Sequence, residues 1–344
     1  MSASRGNAIQ IGDQTIAPGS RTTVDLPVAN LYTHTPMTMP VHVVNGRRAG
    51  PTVFLTAAIH GDELNGVEII DRVLELSVLK RLRGCLLAAP VVNVFGFLNR
   101  SRYLPDRRDL NRVFPGREQG SIAARLAHLV ATELVAKSDF GIDLHTGAID
   151  RTNLPQVRGN LSDPDVLRLA EAFSTPVIID SALRIGSLRH YASTKGVPVL
   201  CYESGEALRF DELSIAAGVR GIGRVLRALE MLPARPGKNA RVAPVRANTT
   251  TWVRAPVSGI VRTACLLGEK VIAGQRLATV SDPFGEVEIE VAATVPGLVI
   301  GRSTSPLAHE GDALFHIARF DDTREAKATF EEFQESYSVG NAWG

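Results

Sequence analysis

AAIHGDELNG, residues 57–66, marks the point where a buried strand gives way to a chemically loaded turn. The run before it, VFLTAA at 53–58, is wholly apolar apart from one threonine. It stops at His60, followed by Gly61, two acids and an amphipathic segment. That pattern predicts a strand whose carboxyl end delivers side chains to a site, because ligands in open α/β sheets bind just outside the carboxyl ends of strands. A His and a Glu three apart in such a turn can both face one metal ion, but His-x-x-Glu alone is a weak signal.

The chain on either side supplies the rest. Val67, Ile70, Val73, Leu74 and Val78 recur at helical spacing, which predicts a helix over 63–78. CLLAAPVVN at 85–93 reads as a second buried strand. Ser121 is placed to cap a helix reaching 137. FGIDLHTG at 140–147 then repeats the opening motif: an apolar strand, a His, and a turn containing Gly. In a parallel sheet the two strands carry His60 and His145 to the same edge. Two His and one carboxylate with an open position form a known catalytic zinc set. Asp143, two residues before His145, shares its strand face and is a candidate for orienting that ligand. Residues 148–162 read as a loop, 163–173 as helix and 176–179 as strand. VPVLCYESG at 197–205 is a further buried strand, and its terminal acid, Glu203, is a candidate functional group. A long helix over 211–232 closes this region. Strands alternating with helices predict a doubly wound, mostly parallel mixed α/β sheet.

The chain holds 344 residues, with 38 Lys+Arg against 36 Asp+Glu. So even a balance argues against nucleic acid or an anionic membrane as partner. Aromatic residues are only 6%, which leaves little for stacking bases. No apolar run is long enough to span a bilayer. The polar start, MSASRGN, lacks a signal-peptide core, and Cys85, Cys201 and Cys265 lie far apart. Buried thiols in a reducing compartment, the cytoplasm, are the expectation. His34, His42, His128, His190, His309 and His316 read as ordinary surface, strand or turn residues.

Four regions are expected. Residues 1–50 form an N-terminal β segment packed on the catalytic domain, with Asn45-Gly46 as a turn. Residues 51–235 form the catalytic domain, and PARPGKN at 233–239 reads as a linker. Residues 245–318 form a small all-β, barrel-like domain with two half-repeats, and 319–344 a polar tail. After the second strand, NRSRYLPDRRDLNR at 99–112 carries five arginines. It is either a solvated basic loop or an anion-binding one, since the guanidinium fork matches a carboxylate two bonds at a time.

HGDE at 60–63, DLNR at 109–112, DLHTG at 143–147 and Glu203 together resemble the succinylglutamate desuccinylase/aspartoacylase family, a branch of the zinc carboxypeptidase fold. The resemblance covers roughly residues 50–232. It implies one Zn2+ held by His60, Glu63 and His145, with Glu203 as general base and acid. It further implies that Asn111 and Arg112 clasp a substrate carboxylate and that Arg102 polarises the scissile carbonyl. The gap between Arg102-Tyr103 and Asp109 is longer than in aspartoacylases, so Arg107 and Arg108 compete for that role. The C-terminal region resembles the biotinyl/lipoyl barrel type through APVSG at 255–259 and GQRLA at 274–278. Its turn reads SDPFGE at 281–286 and offers no Lys for attachment, so a lid or packing role is expected. The implied activity is hydrolysis of an N-acyl amino acid or a related small carboxylate. A carboxypeptidase acting on peptides or side-chain-linked amino acids, and a zinc-dependent binding module without turnover, are the alternatives. The expected partner is a small carboxylate substrate, with room for a homo-oligomer.

Overall fold

The strand Arg48–Ala57 lies near the middle of a thirteen-stranded mixed sheet, the frame on which everything else is hung. A computed structural model describes residues 6–234 and 243–338; most of the linker at 233–239 falls outside them. Crossing the main path of the sheet, the strands run Thr249–Arg254, Ala313–Arg319, Gly297–Ser303, Arg151–Gly159, Val199–Glu206, Phe140–Gly147, Arg48–Ala57, Arg83–Ala89, Pro36–Asn45 and Arg21–Asn30. Arg48–Ala57 pairs in parallel with both of its neighbours, and Phe140–Gly147 pairs in parallel with Val199–Glu206. These central strands are apolar nearly end to end, as a sheet covered on both faces requires.

Helices cover both faces. Asn65–Glu75, Pro164–Phe173 and Glu212–Ala228 pack on one, around Leu55, Leu144 and Tyr202. Ile122–Glu133 and Leu188–Thr194 pack on the other, around Phe54, Leu87 and Val199. The caps follow the sequence: Ser121 Oγ accepts from Ala124 N, Asp163 from Asp165 N, and Asp211 from Ser214 N. The helix expected over 63–78 is shorter. It runs Asn65–Glu75 and tightens into a 3-10 turn at Ser77–Arg81, where the β-branched and polar run SVLKR replaces the apolar period.

Three expectations need correction. The sheet is parallel only at its centre and around the short strand Val177–Asp180; the pairings of Arg21–Asn30, Pro36–Asn45, Gly297–Ser303 and Ala313–Arg319 are antiparallel. The stretch read as a loop at 148–162 holds the strand Arg151–Gly159, pressed antiparallel against the strand of Glu203. Pro155 hid it, because proline inside a run argues against a central strand. Here a register irregularity between Glu203 and Gly205 lets the proline sit where the ladder is interrupted. Finally, the C-terminal strands are not all set apart. Gly297–Ser303 pairs directly with Arg151–Gly159, so the large sheet runs on without a break. Gly259–Thr263, Arg276–Ser281, Glu288–Ala292 and Leu307–Ala308 form a separate antiparallel four-stranded sheet. Beyond them Thr323–Ser338 is a helix that buries Ala326, Phe330 and Phe333 against the body.

Candidate metal centre

The turn after Arg48–Ala57 is built so that His60 and Glu63 face each other. Ala58 takes a left-handed φ of 48°, which turns the chain sharply off the strand. Glu63 N then donates to His60 O at 3.1 Å and folds the carboxylate back under the imidazole. Gly61 between them has no alternative: a Cβ there would lie 2.0 Å from the carbonyl carbon of Gly96. His145 arrives from the end of the neighbouring parallel strand.

The three side chains meet. His60 Nδ1 lies 2.7 Å from Glu63 Oε1, and His145 Nδ1 lies 2.7 Å from Glu63 Oε2. The imidazole centroids are 5.1 Å apart. The side chains of all three are buried. Each imidazole is held from behind by a carboxylate. Asp109 Oδ1 is 3.2 Å from His60 Nε2, and Asp143 Oδ2 is 2.7 Å from His145 Nε2. Asp143 is held in turn by Thr56 Oγ1, which donates to its other oxygen at 2.8 Å.

This donor set suits a cation. With the ring proton at Nε2, held by the carboxylate behind it, each Nδ1 would offer a lone pair. Both Nδ1 atoms would then face the Glu63 carboxylate, acceptor against acceptor, a conflict that positive charge at Nδ1, from a proton or a metal ion, removes. His60, Glu63 and His145 could therefore hold a metal ion. The surrounding carboxylates also favour positive charge at this point. Burial alone would depress both histidines, yet Glu63 and Asp109 raise His60, and Asp143 and Glu63 raise His145 further. Burial would raise Glu63, but the two imidazoles hold it far below the usual carboxylate range.

Arg102 reaches this group. Its Nη2 donates to Asp109 Oδ2 at 2.9 Å, while Nη1 lies 3.2 Å from His60 Nδ1 and 3.4 Å from Glu63 Oε1. Of the two arginines that compete with it, Arg108 bonds Ser121 Oγ, and Arg107 sits exposed at a left-handed turn. Arg112 and Asn111 lie in the 3-10 turn Leu110–Arg112, capped by Asp109. Asn111 Oδ1 accepts from Leu188 N at 2.9 Å and so ties this turn to the start of the helix Leu188–Thr194, while Arg112 Nη1 donates to Asn111 O. Glu203 stands directly beside His145 in parallel register, on the same face. Its Oε2 accepts from Asn153 Nδ2 at 3.0 Å and lies 3.1 Å from Arg158 Nη2.

Sequence reading gave Asp109 no role of its own, although it lies in the DLNR motif. It bridges His60 and Arg102, and only the fold shows this across 49 residues. Asn153 and Arg158 were missed together with their strand. Asp62, buried with Oδ1 unpartnered among the described residues, is raised by burial and by the charge of Glu63.

Residues 49–229 match the succinylglutamate desuccinylase/aspartoacylase catalytic domain. The chain belongs to that family. Among characterised relatives it is similar to an N-alpha-acetyl-L-2,4-diaminobutyric acid deacetylase from Halomonas elongata, 26% identical over 292 residues, covering 81% of this chain and 85% of that protein. Among solved structures it shares its fold with the product-bound ectoine utilization protein EutE (DoeB) from Ruegeria pomeroyi. The TM-score there is 0.79 at 24% identity, over 87% of this chain and 95% of the other. A succinylglutamate desuccinylase/aspartoacylase from Rhodobacter sphaeroides gives 0.77 at 23% identity, over 88% and 95%. No helix of the described residues is long and apolar enough to cross a membrane.

Proposed function

We propose that this protein is a zinc-dependent amidohydrolase that removes the acyl group from an N-acyl amino acid or a related small carboxylate. The observation that carries the reading is the convergence of His60 Nδ1, Glu63 and His145 Nδ1, each imidazole backed by its own carboxylate. Family membership and the deacetylase relative support the reaction class.

A zinc ion held by these three residues would supply a water of pKa about 7 and a Lewis acid for the carbonyl. The remaining work falls to the protein. Glu203 takes a proton from the attacking water and returns it to the departing amine, a task that needs hydrogen-bond reach. Asn153 and Arg158 hold Glu203 Oε2, so the proton moves on Oε1. Arg102, fixed by Asp109, points its guanidinium at the place where negative charge develops. Arg112 and Asn111 bind the substrate carboxylate and turn binding into positioning. The three unbridged, buried cysteines fit a reducing cytoplasm.

The test is a substrate screen on zinc-loaded protein, setting N-acetyl and N-succinyl amino acids against short peptides. Release of free amino acid from the acylated compounds is expected. Cleavage of peptides alone makes it a carboxypeptidase, and binding without hydrolysis of any amide makes it a binding module.

A further inference from the structure

Beside Glu203 the sheet buries polar groups that the deacylation reading leaves unused. Gln156 lies directly opposite Glu203 across the antiparallel pair, on the face that carries His145. It is completely buried, and neither Oε1 nor Nε2 has a hydrogen-bond partner among the described residues. A buried amide in that state is strongly disfavoured unless something else meets it.

Two more orphaned atoms lie in a second row, three residues away along Arg151–Gly159, which runs Gly205, Asn153, Gly301, His316. Asn153 gives its Nδ2 to Glu203 but leaves Oδ1 unpartnered. His316, which reaches the row from the C-terminal strand Ala313–Arg319, leaves Nδ1 unpartnered at 5% exposure. Gly301 pairs with both Asn153 and His316, so the two flank a position that has no side chain. A Cβ on Gly301 would come 2.6 Å from Asn153 Oδ1. The row ends on Trp252, stacked on the His316 ring at 4.3 Å and 5°.

Charge selects the ligand. Burial, with Arg158 and Arg151 nearby, pushes His316 down to about 3, so it presents one N–H and one lone pair at neutral pH. The same two guanidinium groups oppose a cation. An anion meets the Glu203 carboxylate, which already takes the Arg158 Nη2 contact at 3.1 Å. What remains is an uncharged group that both donates and accepts.

We propose that Gln156, Asn153 and His316 form a subsite beside Glu203 that takes an uncharged hydrogen-bonding group of the substrate, a hydroxyl or a carboxamide. The proposal rests on the deacylase reading and deepens it. It assigns the C-terminal strand Ala313–Arg319 a part in choosing the substrate, through His316.

The polar group can belong to the acyl moiety or to the amino acid, and two matched pairs separate these sources. N-glycolyl-L-alanine is compared with N-propionyl-L-alanine, and N-acetyl-L-glutamine with N-acetyl-L-homoleucine. The zinc-loaded protein should prefer the polar member of one pair by about tenfold or more in kcat/KM, since a site built to hydrogen-bond a group rejects the analogue lacking it. Gln156→Met should cut that preference by about tenfold. It should also melt no lower than the parent, because it removes two unpartnered buried atoms. His316→Phe keeps the stack on Trp252 and provides the same comparison if the first variant fails to fold. Absence of preference in both pairs, or a preference untouched by either substitution, overturns the subsite. If no amide is hydrolysed, the deacylase reading fails. Calorimetric binding of glycolate against propionate and of L-glutamine against L-homoleucine, to parent and Gln156→Met, then decides the subsite alone.

Discussion

Asp143→Asn isolates the charge behind one candidate metal ligand, His145. Asp143 is 1% exposed and makes two contacts, one to His145 Nε2 at 2.7 Å and one from Thr56 Oγ1 at 2.8 Å. Asparagine keeps the shape and can still accept from Thr56. It removes the negative charge and can turn its NH2 toward Nε2. The imidazole proton is then driven to Nδ1, the nitrogen that should bind metal. Substitutions of carboxylates behind ligating histidines typically lower metal affinity by roughly 10–100-fold. That corresponds to about 1.4–2.8 kcal/mol. Screening will not shrink the effect, because the His145 and Asp143 side chains are only 6% and 2% exposed. The assay is competition for zinc against a chromophoric chelator at pH 7.5. Thr56→Val is the control: it removes the second hydrogen bond but keeps the charge, so its loss should be about 1 kcal/mol, less than tenfold. An Asp143→Asn affinity within twofold of the parent, or a larger loss in Thr56→Val, refutes the reasoning.

Three further outcomes follow from the same geometry. Glu203→Gln should retain zinc and lose about 10²–10⁴ in kcat, the usual contribution of a general acid–base group; near-normal turnover removes Glu203 from the mechanism. Arg102→Met should lower kcat by roughly 10²–10³ with a smaller change in KM, read from steady-state kinetics at saturating zinc; a change confined to KM makes Arg102 a binding residue instead. The third concerns stability against pH. His316 falls to about 3 in the folded chain, below the ordinary histidine value, so the unfolded chain takes up a proton that the native one refuses. Its contribution is fully present above about pH 6.5 and declines as pH falls toward 3. Urea unfolding at pH 7 and pH 5 should therefore show a smaller drop for His316→Phe than for the parent, and equal drops contradict the argument.

What the sequence disclosed depended on whether the signal was local. His60 and His145 were legible as candidates because each follows or closes an apolar strand, and Glu63 because it stands three residues after His60; parallel neighbours bring strand ends together. Glu203 was legible for the same reason, as an acid closing a buried run. Asp109 was not, because its partner His60 is reached only after an irregular loop folds back, and no periodicity encodes that contact. The strand Arg151–Gly159 was hidden by Pro155, and with it went Asn153, Gln156 and Arg158. His316 read as an ordinary strand residue, since a β pattern does not say which sheet edge a strand will join. Its pairing with Gly301, and through Gly301 with Asn153, is what carries it toward Glu203.

The most direct test of the whole account is the zinc content of purified parent, His60→Ala and His145→Ala proteins after loading and desalting, measured by mass spectrometry of the metal. The account predicts about one zinc per parent chain and strong depletion in both variants, as three-ligand protein sites require. Full occupancy in His145→Ala contradicts it.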